Sequence, residues 1–269
     1  MLRALRRSRR FVAGAVVLGL AGLAVVVAAF GAGDPFSPSE TILAAPSRAH
    51  PFGTDELGRD ILARVVHGAR TALQVAFPPA VAAAVVGTTL GLVAGYAGGA
   101  VDEVVLKLIE LVLVVPRFLI ALVVVALFGG SLTLLGIVLA ATFWPATARL
   151  VRAEAISLRE QPFVEAARAL GAGDVRIVSR HLLLLVIPLV AVNSSFQAGQ
   201  AALIEAGLAF LGLGDRNVVS WGAMLSDAQS YLNVAWWTAV FPGLALSALV
   251  LAANLLGDGL ADAWNVRSR

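Results

Sequence analysis

Catalysis needs side chains that attack, move protons, hold a metal or grip a phosphate, and this sequence offers few of them at usable spacing. Cysteine is absent, which excludes thiolate nucleophiles, thiolate metal sites and disulfides. The one lysine, Lys107, precedes Leu108 and follows no glycine-rich loop. A P-loop needs G-x-x-x-x-G-K-[ST], because its lysine must reach the β/γ-phosphates. The histidines His50, His67 and His181 lie far apart with no H-x-x-x-H spacing, so metal ligation has no support; each reads as an ordinary interfacial residue. No G-x-S-x-G occurs either. The chain is expected to carry no chemistry and to hold no cofactor or metal.

What it does carry is apolar surface. Of its 269 residues, 59% are hydrophobic before the 26 glycines are counted, and 14% are charged. Average soluble domains are about 45–50% apolar with glycine included and about 25% charged. Even a 300-residue soluble domain buries only about 75% of the surface its unfolded chain exposes. The solvent is therefore a bilayer. The net charge of +3 does not point to nucleic acid, because the arginines lie between apolar runs and form no single patch.

A spanning helix needs about 20 mostly apolar residues. Six segments qualify, roughly Phe11–Ala32, Ala72–Tyr96, Val104–Phe128, Leu132–Ala148, Leu182–Leu203 and Val234–Leu256. Basic residues orient them. With the N-terminus cytoplasmic, Arg3, Arg6, Arg7, Arg9, Arg10, Lys107, Arg149, Arg152, Arg159, Arg168, Arg176, Arg180, Arg267 and Arg269 fall inside. Only Arg48, Arg59, Arg64, Arg70 and Arg216 fall outside, and Arg117 lies within the third span. That is the positive-inside pattern, with both termini cytoplasmic. A cleaved signal peptide is the alternative for the arginine-rich head, but its apolar run exceeds the usual 7–15 residues and no clean A-x-A follows.

Three stretches lie off the membrane. Residues 34–71 are polar and proline-punctuated, with an amphipathic helix expected from Leu57 to Ala69. Residues 149–181 form a long basic inside loop, and residues 213–233 a short outside loop. In the inside loop Pro162 suits a first helical position. Phe163, Ala166, Ala167 and Leu170 then fall at i, i+3, i+4 and i+7, one apolar stripe. Gly171 stands where a left-handed C′ residue is needed, and Asp174 is placed to cap a second short helix. So short a helix is marginal alone in water. Its stripe packs either on this chain's own bundle or on a partner, and periodicity does not choose.

The fifth span is the polar one. Asn193, Gln197 and Gln200 recur at i, i+4 and i+7, with Ser194 and Glu205 nearby. Polar groups at membrane depth face a bundle interior or a watery cavity. The stripe is read as lining a solute path, or else as an interhelical hydrogen-bond seam with the partner subunit. Trp221, Trp236 and Trp237 read as an outer interface belt.

Here a resemblance becomes specific. Glu165-Ala166-Ala167, three residues, then Gly171 resembles the EAA motif of ABC-importer permeases. The surrounding EAARALGA, Arg180-His181, and four further segments extend the likeness. These are HPFGTDELGRDILARVVHGART from His50, GYAGGAVDEVV from Gly95, FLGLG with SWGAML from Phe210 and Ser220, and the tail from Phe241. Together they resemble the dipeptide/oligopeptide (nickel) permease branch, specifically its C-type subunit. One departure is Leu184, where that branch usually has a proline; here the first proline is Pro188.

The resemblance implies an all-α, polytopic, six-span type I permease fold in a bacterial cytoplasmic membrane. It implies a head and first helix over 1–33, an extracytoplasmic segment over 34–71 and a core permease domain over 72–269. It assigns ATPase coupling to Phe163, Glu165, Ala166, Ala167, Leu170 and Gly171, and makes Asn193, Ser194, Gln197 and Gln200 candidates for the path. Trp221, Asp55 and Arg59 become candidate outer-face contacts. The implied partners are a homologous permease, two ATP-binding subunits or domains that hold ATP and Mg, and an extracytoplasmic binding protein. A secondary transporter or channel is the alternative, and it would need ionisable groups deep in the spans, where only Glu110 and Glu205 qualify among acids.

Overall fold

A computed structural model describes residues 8–30 and 33–265. The arginines expected to orient the ends at positions 3, 6, 7, 267 and 269 lie outside the described residues. Ten helices follow in order: α1 (Arg9–Phe30), α2 (Ile61–Ala97), α3 (Gly99–Leu113), α4 (Arg117–Phe128), α5 (Leu132–Arg159), α6 (Pro162–Ala169), α7 (Asp174–Ile177), α8 (Leu183–Phe210), α9 (Trp221–Ala228) and α10 (Trp237–Asn265). Among the described residues five are long and apolar enough to cross a membrane, counting α7 and α8 as one run, or six if the bent pair α3–α4 counts as one span.

Several expected boundaries move, each for a local reason. The second span and the amphipathic helix before it are one helix, so the division at residue 71 falls inside α2. The Asp60 carboxylate accepts from the Ala63 N–H at 2.9 Å and starts α2 at Ile61, while Leu57 stays exposed in the preceding turn. At 37 residues the helix is roughly 55 Å long, well beyond a hydrocarbon core of about 30 Å. The third span is broken by 68° between α3 and α4. Pro116 sits at that break, and a proline disfavours helical backbone in the residue before it. Residues 149–159, expected in a loop, complete α5. The loop over 213–233 holds α9, capped by the Ser220 hydroxyl accepting from Gly222 N–H at 3.1 Å.

The centre of the bundle is the α2–α5 pair. Gly87, Gly91 and Gly95 form one edge of α2 at four-residue intervals. A Cβ on each would lie 2.6 Å from the backbone carbonyl oxygen of Trp144, Ala148 and Arg152, respectively. Such small-residue ladders let backbones approach where lipid supplies no hydrophobic drive. α8 then packs on both helices, and α10 packs on α8.

The two ends of the bundle differ. At one, hereafter the loop end, lie α6 and α7. Arg10 of α1 reaches Asp262 of α10 there at 3.5 Å, so the start of α1 and the end of α10 share an end. At the other, the far end, residues 33–60 and α9 cover the helix mouths. Phe52 stacks on Phe241 with centroids 4.0 Å apart, and the Trp237 indole donates to Thr54 O at 3.2 Å.

Candidate functional site

At the loop end, Pro162 is the first residue of α6, following Gln161 at the cap. The helix closes through two backbone bonds. Gly171 N–H donates to Arg168 O at 2.9 Å, and Ala172 N–H donates to Ala167 O at 3.0 Å. This Schellman pairing needs a left-handed C′ residue, and Gly171 has φ +82°. The expected cap at Asp174 is different: Gly173 caps α7 and makes no side-chain bond. The Asp174 carboxylate is taken instead by the hydroxyl of Tyr96, the penultimate residue of α2.

That contact belongs to a clasp. Arg168 Nη2 donates to Tyr96 Oη at 3.1 Å and its guanidinium lies 5.5 Å from the ring centroid. The bond from Tyr96 holds the Arg168 guanidinium above its already high ordinary value, so the clasp keeps a fixed positive charge. Nearby, Arg152 of α5 pairs with Asp102 of α3 through two hydrogen bonds. Arg159 donates to Gly95 O at 3.1 Å.

The two faces of α6 have opposite fates. Val164 is fully buried (0% exposed) in a cluster with Leu92, Val151, Ala155, Ile177 and Leu182, and Ala167 packs against the same cluster. Phe163 is 38% exposed, Leu170 is 89% exposed, and Ala166, Glu165 and Gly171 lie open beside them. The predicted stripe is thus rotated: Val164 replaces Phe163 on the bundle side, and an apolar edge faces outward. Val175 of α7 extends that edge at 84% exposure. Four residues carry too little periodicity to announce it. Leu184, the departure from the branch's usual proline, lies in the regular helix of α8, just after a π-helical turn over Val178–Leu182.

The polar stripe of α8 divides. Asn193 donates to Thr147 Oγ1 at 2.9 Å, and Gln197 donates to Phe143 O at 3.1 Å and Thr147 Oγ1 at 3.2 Å. These bonds form a seam with α5 of the same chain; Gln197 is only 3% exposed and lines no open surface, while Asn193 is half-buried. Ser194 donates to its own helix at Val190 O. Gln200 alone lies exposed, and its Oε1 accepts from Arg117 Nη1 at 3.1 Å.

The far-end candidates are also internal. Trp221 is 4% exposed, and its indole donates to Val65 O at 3.0 Å; this corrects the expectation of an outer contact. Asp55 is buried and accepts from Arg59 at 2.6 Å and from Arg64, while Arg59 also reaches Glu56 at 2.8 Å. Asp227 of α9 lies 3.7 and 3.8 Å from Arg59 and Arg64. The four-residue spacing of Gly87, Gly91 and Gly95 is a sequence signal that could have announced the close α2–α5 packing; the Arg64–Asp227 approach, across distant segments, has none. Trp236 is exposed while Trp237 is buried.

Comparison with known proteins follows this geometry. A family model described as binding-protein-dependent transport system inner membrane component matches residues 87–269. A dipeptide transport system permease protein of Alkalihalophilus pseudofirmus is 42% identical over 228 residues, 84% of this chain and 75% of that protein. A glutathione transport system permease protein of Pectobacterium atrosepticum is 37% identical over 257 residues, 93% and 85% of the two chains. A putative peptide transport system permease protein of Brucella suis is 37% identical over 268 residues, 98% and 90% of the two.

Proposed function

The chain belongs to the binding-protein-dependent transport system inner membrane components, the permeases of bacterial ABC importers, and from that premise we propose that it passes peptides inward while α6 couples it to an ATPase. Its role is transport in the inner membrane, with ATPase and substrate-binding partners. Peptide cargo follows from relatives that are named for dipeptides, peptides and glutathione. A second, homologous permease completes the path, two ATP-binding subunits or domains hold ATP and Mg, and the loop end faces the cytoplasm, as its arginines require. The far end then meets the binding protein.

The observation that carries the coupling role is the outward edge of α6. Phe163, Ala166 and Leu170 lie open while Val164 and Ala167 anchor the same helix to α2, α5 and α8. An apolar helix edge laid into a groove is a recurring recognition mode. Movement of the ATPase pair would then pull α6, and through Tyr96 and Val164 would tilt α2 and α5, the two-state transition expected of alternating access.

The test is mild purification with the partner genes expressed, followed by uptake in vesicles. Wild type should retain an ATPase. Leu170→Asp should fold and insert normally yet lose ATPase retention at least tenfold, and Gly171→Pro should uncouple, because proline fixes φ near −65°. If no ATPase is retained by wild type, and Leu170→Asp and Glu165→Arg import normally, the reading fails.

A further inference from the structure

Arg117 places a charge where a bilayer forbids a free one. Arg117 opens α4 at the 68° break, inside the run of apolar residues from Val104 to Phe128. Its guanidinium lies 5.2 Å from the centroid of the Phe143 ring and gives one hydrogen bond, to Gln200 Oε1. Phe143 and Gln200 each stand about ten residues from the far-end termini of α5 and α8, roughly 15 Å along the axis. In a hydrocarbon core of about 30 Å this is mid-depth.

Gln200 is exposed and Arg117 half-buried, so the pair opens on the flank between α4 and α8. The glycine at 207 holds α4 there, since a Cβ on it would stand 3.1 Å from the Phe118 ring. Among the described residues no carboxylate pairs with Arg117. A guanidinium does not shed its proton in proteins, and lipid cannot solvate it, so the flank must face a watery or protein-lined space. Broken helices at membrane mid-depth are also where transporter backbone turns toward a solute site.

We propose that Arg117 is a carboxylate-binding site in the translocation path, taking the anionic end of the transported peptide. Gln200 and Phe143 hold the planar fork by one edge and one face, which leaves the remaining N–H donors for a bidentate carboxylate. This deepens the importer reading and rests on it. A carboxylate of the second permease could supply the same chemistry, and the experiment separates the two sources.

The whole transporter, with both permeases, ATPases and binding protein, is reconstituted in proteoliposomes. Uptake is compared for one labelled peptide with a free C-terminal carboxylate and for its C-terminal amide, in wild type and Arg117→Gln. Since the binding protein is the same throughout, its own preference cancels in the ratio between variants. The expected result is at least a tenfold fall for the free peptide with the amide changed less than twofold. Equal falls for both peptides, or no fall, overturn the proposal; equal falls assign Arg117 to a pair with the second permease. Arg117→Lys is the second variant should the first not assemble, expected to raise KM for the free peptide several-fold at similar kcat; no shift in KM would overturn the proposal equally. Binding-protein-stimulated ATP hydrolysis is followed in parallel. Its presence keeps the importer reading intact if the carboxylate inference fails, and its absence in wild type overturns both.

Discussion

The far end of the bundle and the loop end use similar residues to opposite purposes. At the far end, Asp55 and Arg64 are buried with the half-buried Arg59, and the indoles of Trp221 and Trp237 close onto backbone carbonyls. Charges and tryptophans that sequence suggests as contact residues are spent holding residues 33–60 and α9 onto the helices. At the loop end the polar ties of α6 and α7 to the bundle are a tyrosine, an arginine and an aspartate around one corner, with Leu170 and Val175 left open. The first arrangement keeps a shape, and the second leaves open the apolar edge proposed to meet the ATPase.

The comparison breaks most severely at the strut that joins both ends. Gly91→Leu drives a side chain into Ala148 O and Val151 Cβ, 2.6 and 2.9 Å from the first added atom. The α2–α5 ladder then separates, and no folded protein should be recovered by size-exclusion chromatography in detergent. Recovery at the wild-type yield would mean that the glycine edge does not set the packing.

Next in size is the far end alone. Asp55→Ala leaves Arg64 buried without its carboxylate, a change typically worth about 3–5 kcal/mol. The thermal midpoint in detergent should fall steeply, while the folded fraction still retains the ATPase. A loss below about 1 kcal/mol would place this cluster with weak surface pairs.

The smallest effect is expected from the clasp. Tyr96→Phe removes one hydroxyl that bonds Asp174 and Arg168, about 0.5–1.5 kcal/mol per net hydrogen bond at most. Stability should hardly change, yet peptide moved per ATP hydrolysed should drop about two- to threefold, because α6 is then less firmly tied to α2. A larger stability change than that of Asp55→Ala would invert the contrast between the ends.

Much of the architecture was legible along the chain, because a bilayer demands continuous apolar length and leaves charges to the connections. The apolar spans and the α6 helix, with Pro162 at its start and Gly171 at its end, follow from local spacing. The likeness to importer permeases rested on particular motifs, and the relatives support it. What spacing did not show was direction. A four-residue stagger marks one stripe on α6, but whether Phe163 or Val164 turns inward depends on where α2 and α5 stand. The amide stripe of α8 looked continuous, yet neighbouring helices turned Asn193 and Gln197 into a seam and left Gln200 to Arg117. Periodicity is a property of one helix; which face is covered is a property of its neighbours, and only the tertiary structure supplies those.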